Sequence, residues 1–189
     1  GARPVVIAGA ALVGFAVTWH AATIIVMMRR ALPSRFRVTM HHYLLAALCL
    51  VAGATFGTLL ADTSTEPMHG RLLMAHTMTN LLGWVGMTVV GTLITFWPTL
   101  LRTKMDPHAD RAARIALPVF ATALVIIDAG ALSGHMTVAA AGLAVYLAGL
   151  LIWGRVIVIP FRAKPPREFA SASVACALVW AVVGLAWVG

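Results

Sequence analysis

The sequence has few charged residues and few cysteines for its length. Only 11% of its 189 residues are charged, whereas 61% are hydrophobic and the mean hydropathy is +0.92. A soluble domain carries about 25% charged residues and about 45–50% apolar residues. The two cysteines, Cys49 and Cys176, lie far apart in apolar stretches, which favours small buried hydrophobes over a disulfide framework. The composition therefore excludes a soluble domain and indicates a membrane protein.

Acidic residues are also scarce, since six Asp and Glu stand against 14 Lys and Arg. A basic chain can bind nucleic acid, but here the basic residues cluster between apolar runs, as topology signals do. No nucleic-acid partner is predicted. The sequence also lacks a Gly-rich phosphate loop, a nucleophile elbow and a CxxC motif, so any chemistry must lie between helices or at their ends.

Long apolar runs, in contrast, are abundant. A spanning helix needs about 20 mainly apolar residues, and the pattern predicts an all-α, polytopic membrane helix bundle of about six transmembrane helices. The spans are expected from about Pro4 to Met28, Val38 to Ala61, Leu72 to Leu101, Ile115 to Leu132, Met136 to Pro160 and Phe169 to Val188. Because the sequence does not begin with Met, we expect residues 1–189 to be one transmembrane domain from a longer chain.

The connecting loops alternate in charge. Lys and Arg are concentrated in residues 29–37, 102–114 and 161–168, whereas residues 62–71 carry one arginine and residues 133–135 carry none. Because cytoplasmic loops are enriched in Lys and Arg, the three basic loops are predicted to be cytoplasmic. Both termini are then extracytoplasmic.

The third predicted span carries a polar and small-residue face at its outer end. His69, His76, Asn80, Gly83 and Gly91 recur at helical spacing, so they share one side of the helix. Small and polar residues on a spanning helix indicate contact with other helices instead of lipid. This face is therefore predicted to point into the bundle.

Imidazole and thioether groups near this face suggest a haem or copper site, because both are ligands for those metals. His76 is the favoured ligand. A methionine in an apolar helix more often packs than binds metal, and a histidine near the membrane surface is often only interfacial. The candidate outer metal ligands are His69, His76, Met78 and His135, with Asn80 and Asp128 as supporting residues.

A second histidine group lies toward the cytoplasmic side. His20 is in the inner third of the first span, and His42 begins the second. Since consecutive spans are antiparallel neighbours, these two imidazoles could clamp a haem iron. The alternative is that the residues near His42 only anchor the helix at the headgroups.

Residues 75–105, "AHTMTNLLGWVGMTVVGTLITFWPTLLRTKM", resemble a known membrane module. Together with "HGRLLMAH" at 69–76, they are similar to the module that precedes cupredoxin or multicopper oxidase domains in actinobacterial proteins. That module is related to the catalytic subunit of haem–copper oxidases and to a nitric-oxide-response haem–copper membrane protein. Small relatives often have "HAHLNLLGW", where this chain has "HTMTNLLGW". His76 and Asn80 thus match the pattern, whereas Met78 replaces the second histidine.

The resemblance implies electron transfer in the bacterial cytoplasmic membrane. Haem b, copper or both would relay electrons, with quinol as a donor, to a fused or separate extracytoplasmic cupredoxin or multicopper oxidase domain. Oxygen reduction is not implied, because six helices are too few for the whole oxidase site.

Two other functions compete with the redox module. The outer Met and His residues could collect copper for transport past Asp128. Alternatively, the chain could be a cofactor-free membrane anchor for an oxidase domain.

Overall fold

The computed structural model is helical through most of the residues it describes, which are 3–30, 37–106 and 108–188. No strand occurs in those ranges, and the predicted all-α fold class is confirmed. The elements are α1 (Arg3–Arg30), α2 (Arg37–Asp62), α3 (Met68–Met78), a π-helical segment (Thr79–Gly86), α4 (Met87–Leu101), α5 (Ala109–Ser133), α6 (Met136–Trp153), α7 (Arg155–Ala163) and α8 (Phe169–Val188).

Within the described residues, five helical stretches are long and apolar enough to cross a membrane, so the chain is a multi-pass membrane protein. They are α1, α2, the continuous stretch Met68–Leu101, α5 and the stretch Met136–Ala163. The sixth predicted span corresponds to the apolar helix α8.

The third span begins earlier than predicted and contains an irregular turn. It starts at Met68, and the π-helical segment Thr79–Gly86 joins α3 to α4 without a break. Pro98 lies inside α4, which continues to Leu101. Arg102, with a φ of 54°, then ends the helix in the left-handed conformation.

Contacts between helix ends place the loops on two opposite sides of the bundle. Arg3 pairs with Asp62 at 2.9 Å, which joins the start of α1 to the end of α2. On the other side, Arg102 at the end of α4 pairs with Glu168 just before α8 at 3.3 Å. These contacts agree with the prediction that successive loops alternate between the two sides of the bundle.

The α5–α6 hairpin is as tight as the short "SGH" connection predicts. Gly134 has a φ of 78°, a conformation that glycine adopts without steric cost, and it turns the chain directly into α6. A Cβ atom on Gly142 would lie 2.7 Å from the Ile127 backbone nitrogen, and one on Gly130 would overlap the Ala139 backbone. The two helix backbones are therefore in close contact over several turns.

The helices differ greatly in how much protein covers them. Buried side chains from α2 to α7 form the hydrophobic core, whose largest members include Trp97, Phe120 and Tyr146. In contrast, α1 packs on α2 but has no buried residue in its described range. The inner helices therefore form the packed body, and α1 lies at its edge.

Candidate functional site

The polar face of the third span packs against α2, as its spacing predicted. The two helices are antiparallel, and each glycine on one helix faces a larger side chain on the other. We call this contact the glycine seam; its glycines are Gly53 and Gly57 on α2, Gly83 in the π-helical segment and Gly91 on α4. Small residues permit such close approach of membrane helices.

His76 and Asn80 fill the half of the glycine seam nearer the α2–α3 loop. A Cβ atom on Gly57 would lie 2.9 Å from His76 Cε1, and one on Gly53 would overlap the Asn80 carboxamide. His76 Nδ1 is 2.8 Å from the Gly53 carbonyl oxygen, and Asn80 Nδ2 donates to the His76 carbonyl at 2.7 Å. Because a carbonyl oxygen only accepts, the His76 proton lies on Nδ1 and the Nε2 lone pair is left available.

His42 lies in the half of the glycine seam nearer the start of α2 and is completely buried. A Cβ atom on Gly91 would lie 2.7 Å from the His42 Cβ atom. The His42 Nδ1–H donates to the Val38 carbonyl at 2.9 Å, whereas Nε2 has no hydrogen-bond partner among the described residues. Buried polar atoms are nearly always paired, so this imidazole nitrogen is the most distinctive unpaired group of the seam.

His69 and His41 make the same kind of backbone contact at the two ends of the seam region. His69 Nδ1 is 2.7 Å from the Thr63 carbonyl oxygen, so the ring closes the α2–α3 loop. His41 Nδ1 is 2.7 Å from the Arg37 carbonyl oxygen, but its side chain is exposed. His41 is therefore a near match for His42 that differs mainly in burial.

Met78 and Asp128 do not share a site with His76. Residues two positions apart on an α-helix are about 200° apart around its axis, and Met78 packs against the hydrophobic core while His76 faces α2. Asp128 instead accepts hydrogen bonds from Thr79 Oγ1, at 2.8 Å and 2.9 Å to its two carboxylate oxygens. The Thr79–Asp128 contact joins the third span to α5.

The remaining histidine candidates are exposed. His20 lies on the uncovered surface of α1, so it does not form a buried pair with His42. His135 Nδ1 lies 3.0 Å from Ser133 Oγ at the turn between α5 and α6. In the part of the chain that the structure describes, no three His, Cys, Asp or Glu side chains converge on a possible metal position.

Sequence reasoning missed the partner of the π-helical segment. Tyr146 on α6 donates from its hydroxyl to the Leu82 carbonyl at 3.0 Å, and a Cβ atom on Gly86 would lie 2.7 Å from that hydroxyl. A tyrosine in the middle of an apolar span was the available signal, because a buried hydroxyl requires a hydrogen-bond partner. π-helical turns frequently occur at functional sites.

An ionic contact links the α4–α5 loop to α7. Asp106, in the α4–α5 loop, accepts hydrogen bonds from the His108 amide at 3.2 Å and from Arg155 Nε at 3.0 Å. Burial opposes ionisation of this carboxyl, but the two donors outweigh it, so the pKa of Asp106 lies below its ordinary value. The contact ties the start of α7 to the loop.

The fold and the seam define a multi-pass helical membrane protein with imidazoles held between its helices. No protein-family model, curated protein or solved structure matches the chain. The resemblance of residues 69–105 to oxidase-like modules therefore stays a hypothesis. The side-chain geometry of the seam supplies independent grounds for a proposed function.

Proposed function

We propose that this chain is a membrane-embedded redox module that binds haem b through imidazoles of the glycine seam. It would pass electrons, with quinol as the donor, to an extracytoplasmic cupredoxin or multicopper oxidase domain. The observation that carries the proposal is the buried Nε2 atom of His42, which has no protein partner among the described residues.

The chemistry of the seam histidines fits an axial haem ligand. Such a ligand presents one ring nitrogen to the iron while the other donates to a carbonyl or carboxylate, which fixes the ring and its tautomer. His42 and His76 both meet this requirement through their Nδ1 contacts. Haem iron held by either residue would supply one-electron transfer by cycling between its ferrous and ferric states.

The two seam histidines lie at different membrane depths, which suits a relay. His76 contacts Gly53, which lies 11 residues beyond His42 on α2. At a rise of about 1.5 Å per residue, these positions are separated by about 16 Å along the helix axis. The inner histidine would serve the donor side and the outer histidine the acceptor side.

Copper within this chain receives less support from the geometry. A copper site needs several soft or imidazole ligands around one point, whereas His76 faces α2 and Met78 packs against the core. His69 and His135 each make their own local contact. We therefore place haem in the seam and assign copper to the partner domain.

The proposed orientation puts the chain in the bacterial cytoplasmic membrane with the C-terminus outside. The basic loops and the ion pairs that gather them on one side of the bundle support it. A copper domain following residue 189 would then face the correct compartment to accept electrons.

The decisive test is a reduced-minus-oxidised spectrum of the purified protein, combined with iron and copper analysis. The wild type should show a Soret band, His42→Ala should lose a large part of it, and the double variant with His76→Ala should lose all of it. His41→Ala is the matched control and should keep the full band, because His41 is exposed. A wild-type protein without a Soret band after growth with added haem precursor would refute the proposal.

A cofactor-free anchor is the second candidate, and one observation favours it. In the third span, His76 Nδ1, the carboxamide of Asn80 and the hydroxyl of Thr79 already have protein partners. An anchor predicts that His42→Ala leaves the activity of the attached oxidase domain unchanged. The redox module predicts a loss of quinol-dependent electron transfer in that variant, while activity with a soluble electron donor persists.

A further inference from the structure

A shallow groove runs along the outside of the bundle where α6 meets α7. Its volume is about 430 Å³, and its apolar lining includes Leu150, Leu151 and Val158. Leu151 is 82% exposed, so no part of the described chain covers this side of the groove. The groove lies on the membrane-facing surface and is apolar along its α6 half.

The α7 half of the groove is built from an amphipathic helix. Val156 and Pro160 are buried against the core, which directs the opposite side of α7 outward. Arg155 and Arg162 both line the groove and are seven residues apart, so they lie on one face, about 10 Å apart along the axis. Two guanidinium groups therefore border an apolar channel.

The charges at this end of the groove are only partly neutralised. Arg155 uses Nε to pair with Asp106 at 3.0 Å, which holds the side chain in place, and its terminal nitrogens donate no hydrogen bond to a described residue. Arg162 has no acidic partner among the described residues. The Asp106 contact also fixes the depth of the groove, because Asp106 lies in the loop beyond the membrane spans.

We propose that this groove binds an anionic phospholipid of the inner leaflet. The phosphate would lie between Arg162 and the terminal nitrogens of Arg155, and an acyl chain would run along Leu150 and Leu151. Guanidinium groups pair with phosphate oxygens through two parallel hydrogen bonds. Basic pockets at the cytoplasmic ends of membrane helices are suited to anionic headgroups, and the continuous apolar wall favours a lipid over free phosphate.

Native mass spectrometry of the purified full chain, titrated with phosphatidylglycerol or phosphatidylcholine, tests this site. The wild type should bind phosphatidylglycerol more tightly than phosphatidylcholine. Arg162→Gln should weaken phosphatidylglycerol binding by about tenfold, as expected for the loss of a charge-assisted hydrogen-bonding group. Arg167→Gln removes the same charge outside the groove and should leave binding within about twofold of wild type, because exposed charges contribute little.

A second variant and a competitor separate the lipid from a simple anion. Leu151→Asp should weaken phosphatidylglycerol binding while Arg162 is intact, and excess inorganic phosphate should not displace the lipid. Equal affinity for the two lipids, equal effects of Arg162→Gln and Arg167→Gln, or full displacement by phosphate would each overturn the proposal.

Discussion

The first and third spans show that hydropathy does not measure burial in this protein. The α1 helix has a mean hydropathy of 1.8 in its most apolar window, yet none of that window is buried. The stretch Met68–Leu101 is less apolar, at 1.5, but half of its window is buried. Lipid tails are as apolar as leucine, so apolar side chains alone do not drive the association of membrane helices. Small residues and polar contacts do.

The glycines of the two spans make the same contrast at the level of single atoms. A Cβ atom on Gly14 of α1 would meet nothing within 4 Å, whereas one on Gly91 of α4 would lie 2.7 Å from His42 Cβ. Because His42 Cβ is fixed to the α2 backbone, it cannot move aside unless the helix moves. Gly14 of α1 can therefore be replaced by a larger residue without a clash, whereas a larger residue at Gly91 would push α2 and α4 apart.

The largest expected effect comes from filling a seam glycine. Gly91→Ala should lower the free energy of unfolding by about 1–3 kcal/mol, because an added methyl group in a well-packed contact forces the backbones apart. Gly14→Ala should be neutral or stabilising by up to about 1 kcal/mol, because alanine favours helix more than glycine does. Thermal unfolding in detergent micelles measures both. If Gly91→Ala and Gly14→Ala destabilised the protein equally, the glycine seam would not be more tightly packed than α1.

A smaller effect is expected from the polar contact between the third span and α5. Thr79→Val removes the hydroxyl that donates to Asp128 and should cost about 0.6 kcal/mol, the average for hydrogen bonds between membrane helices, and at most about 1.7 kcal/mol. Thr23→Val is the control in α1, since Thr23 Oγ1 only donates to Trp19 of its own helix. The control should change stability by about a few tenths of a kcal/mol. The same unfolding assay applies, and a larger loss in the control would contradict the comparison.

The Asp106 contact gives a pH-dependent effect of similar or smaller size. Its folded-state pKa is lowered, so its contribution is present above the unfolded value of about 3.9 and is lost as the pH falls through the folded value. Wild-type stability should therefore decline on acidification below about pH 4. Asp106→Asn should flatten part of that decline and cost about 0.5–1 kcal/mol at neutral pH. If Asp106→Asn lost stability below about pH 4 as steeply as the wild type does, the Asp106 carboxyl would not contribute to the pH dependence of stability.

The smallest effect is expected where α1 meets α2. Arg3 and Asp62 form an ion pair at 2.9 Å, but the side chains are 71% and 37% exposed. Exposed pairs contribute about 0–1 kcal/mol, so Asp62→Asn should barely change thermal unfolding. A loss as large as that of Gly91→Ala would mean that α1 is held far more firmly than its uncovered surface suggests.

Sequence periodicity predicted the spans and the inward face of the third one, because both depend on local composition. The His76–Asn80–Gly83–Gly91 face was predictable since steps of three and four residues define one side of any helix. The π-helical segment Thr79–Gly86 was not, because no residue pattern separates its hydrogen bonding from that of an α-helix.

The partners of the candidate residues could not be predicted, because the order of helices around a bundle is not encoded locally. His20 and His42 belong to neighbouring spans, and this suggested a pair. The structure instead buries His42 against Gly91 of α4 and leaves His20 exposed. Met78 illustrates a different difficulty, since its chemistry allows metal binding but its helical position directs it into the core.

The closeness of α5 and α6 bears on how the chain enters the membrane. Their backbones touch at Gly130 and Gly142, and the connecting residues 133–135 include no lysine or arginine. Moving a charged side chain through hydrocarbon is costly, and this turn has no permanently charged group to carry across. The two helices can therefore insert together as one helical hairpin.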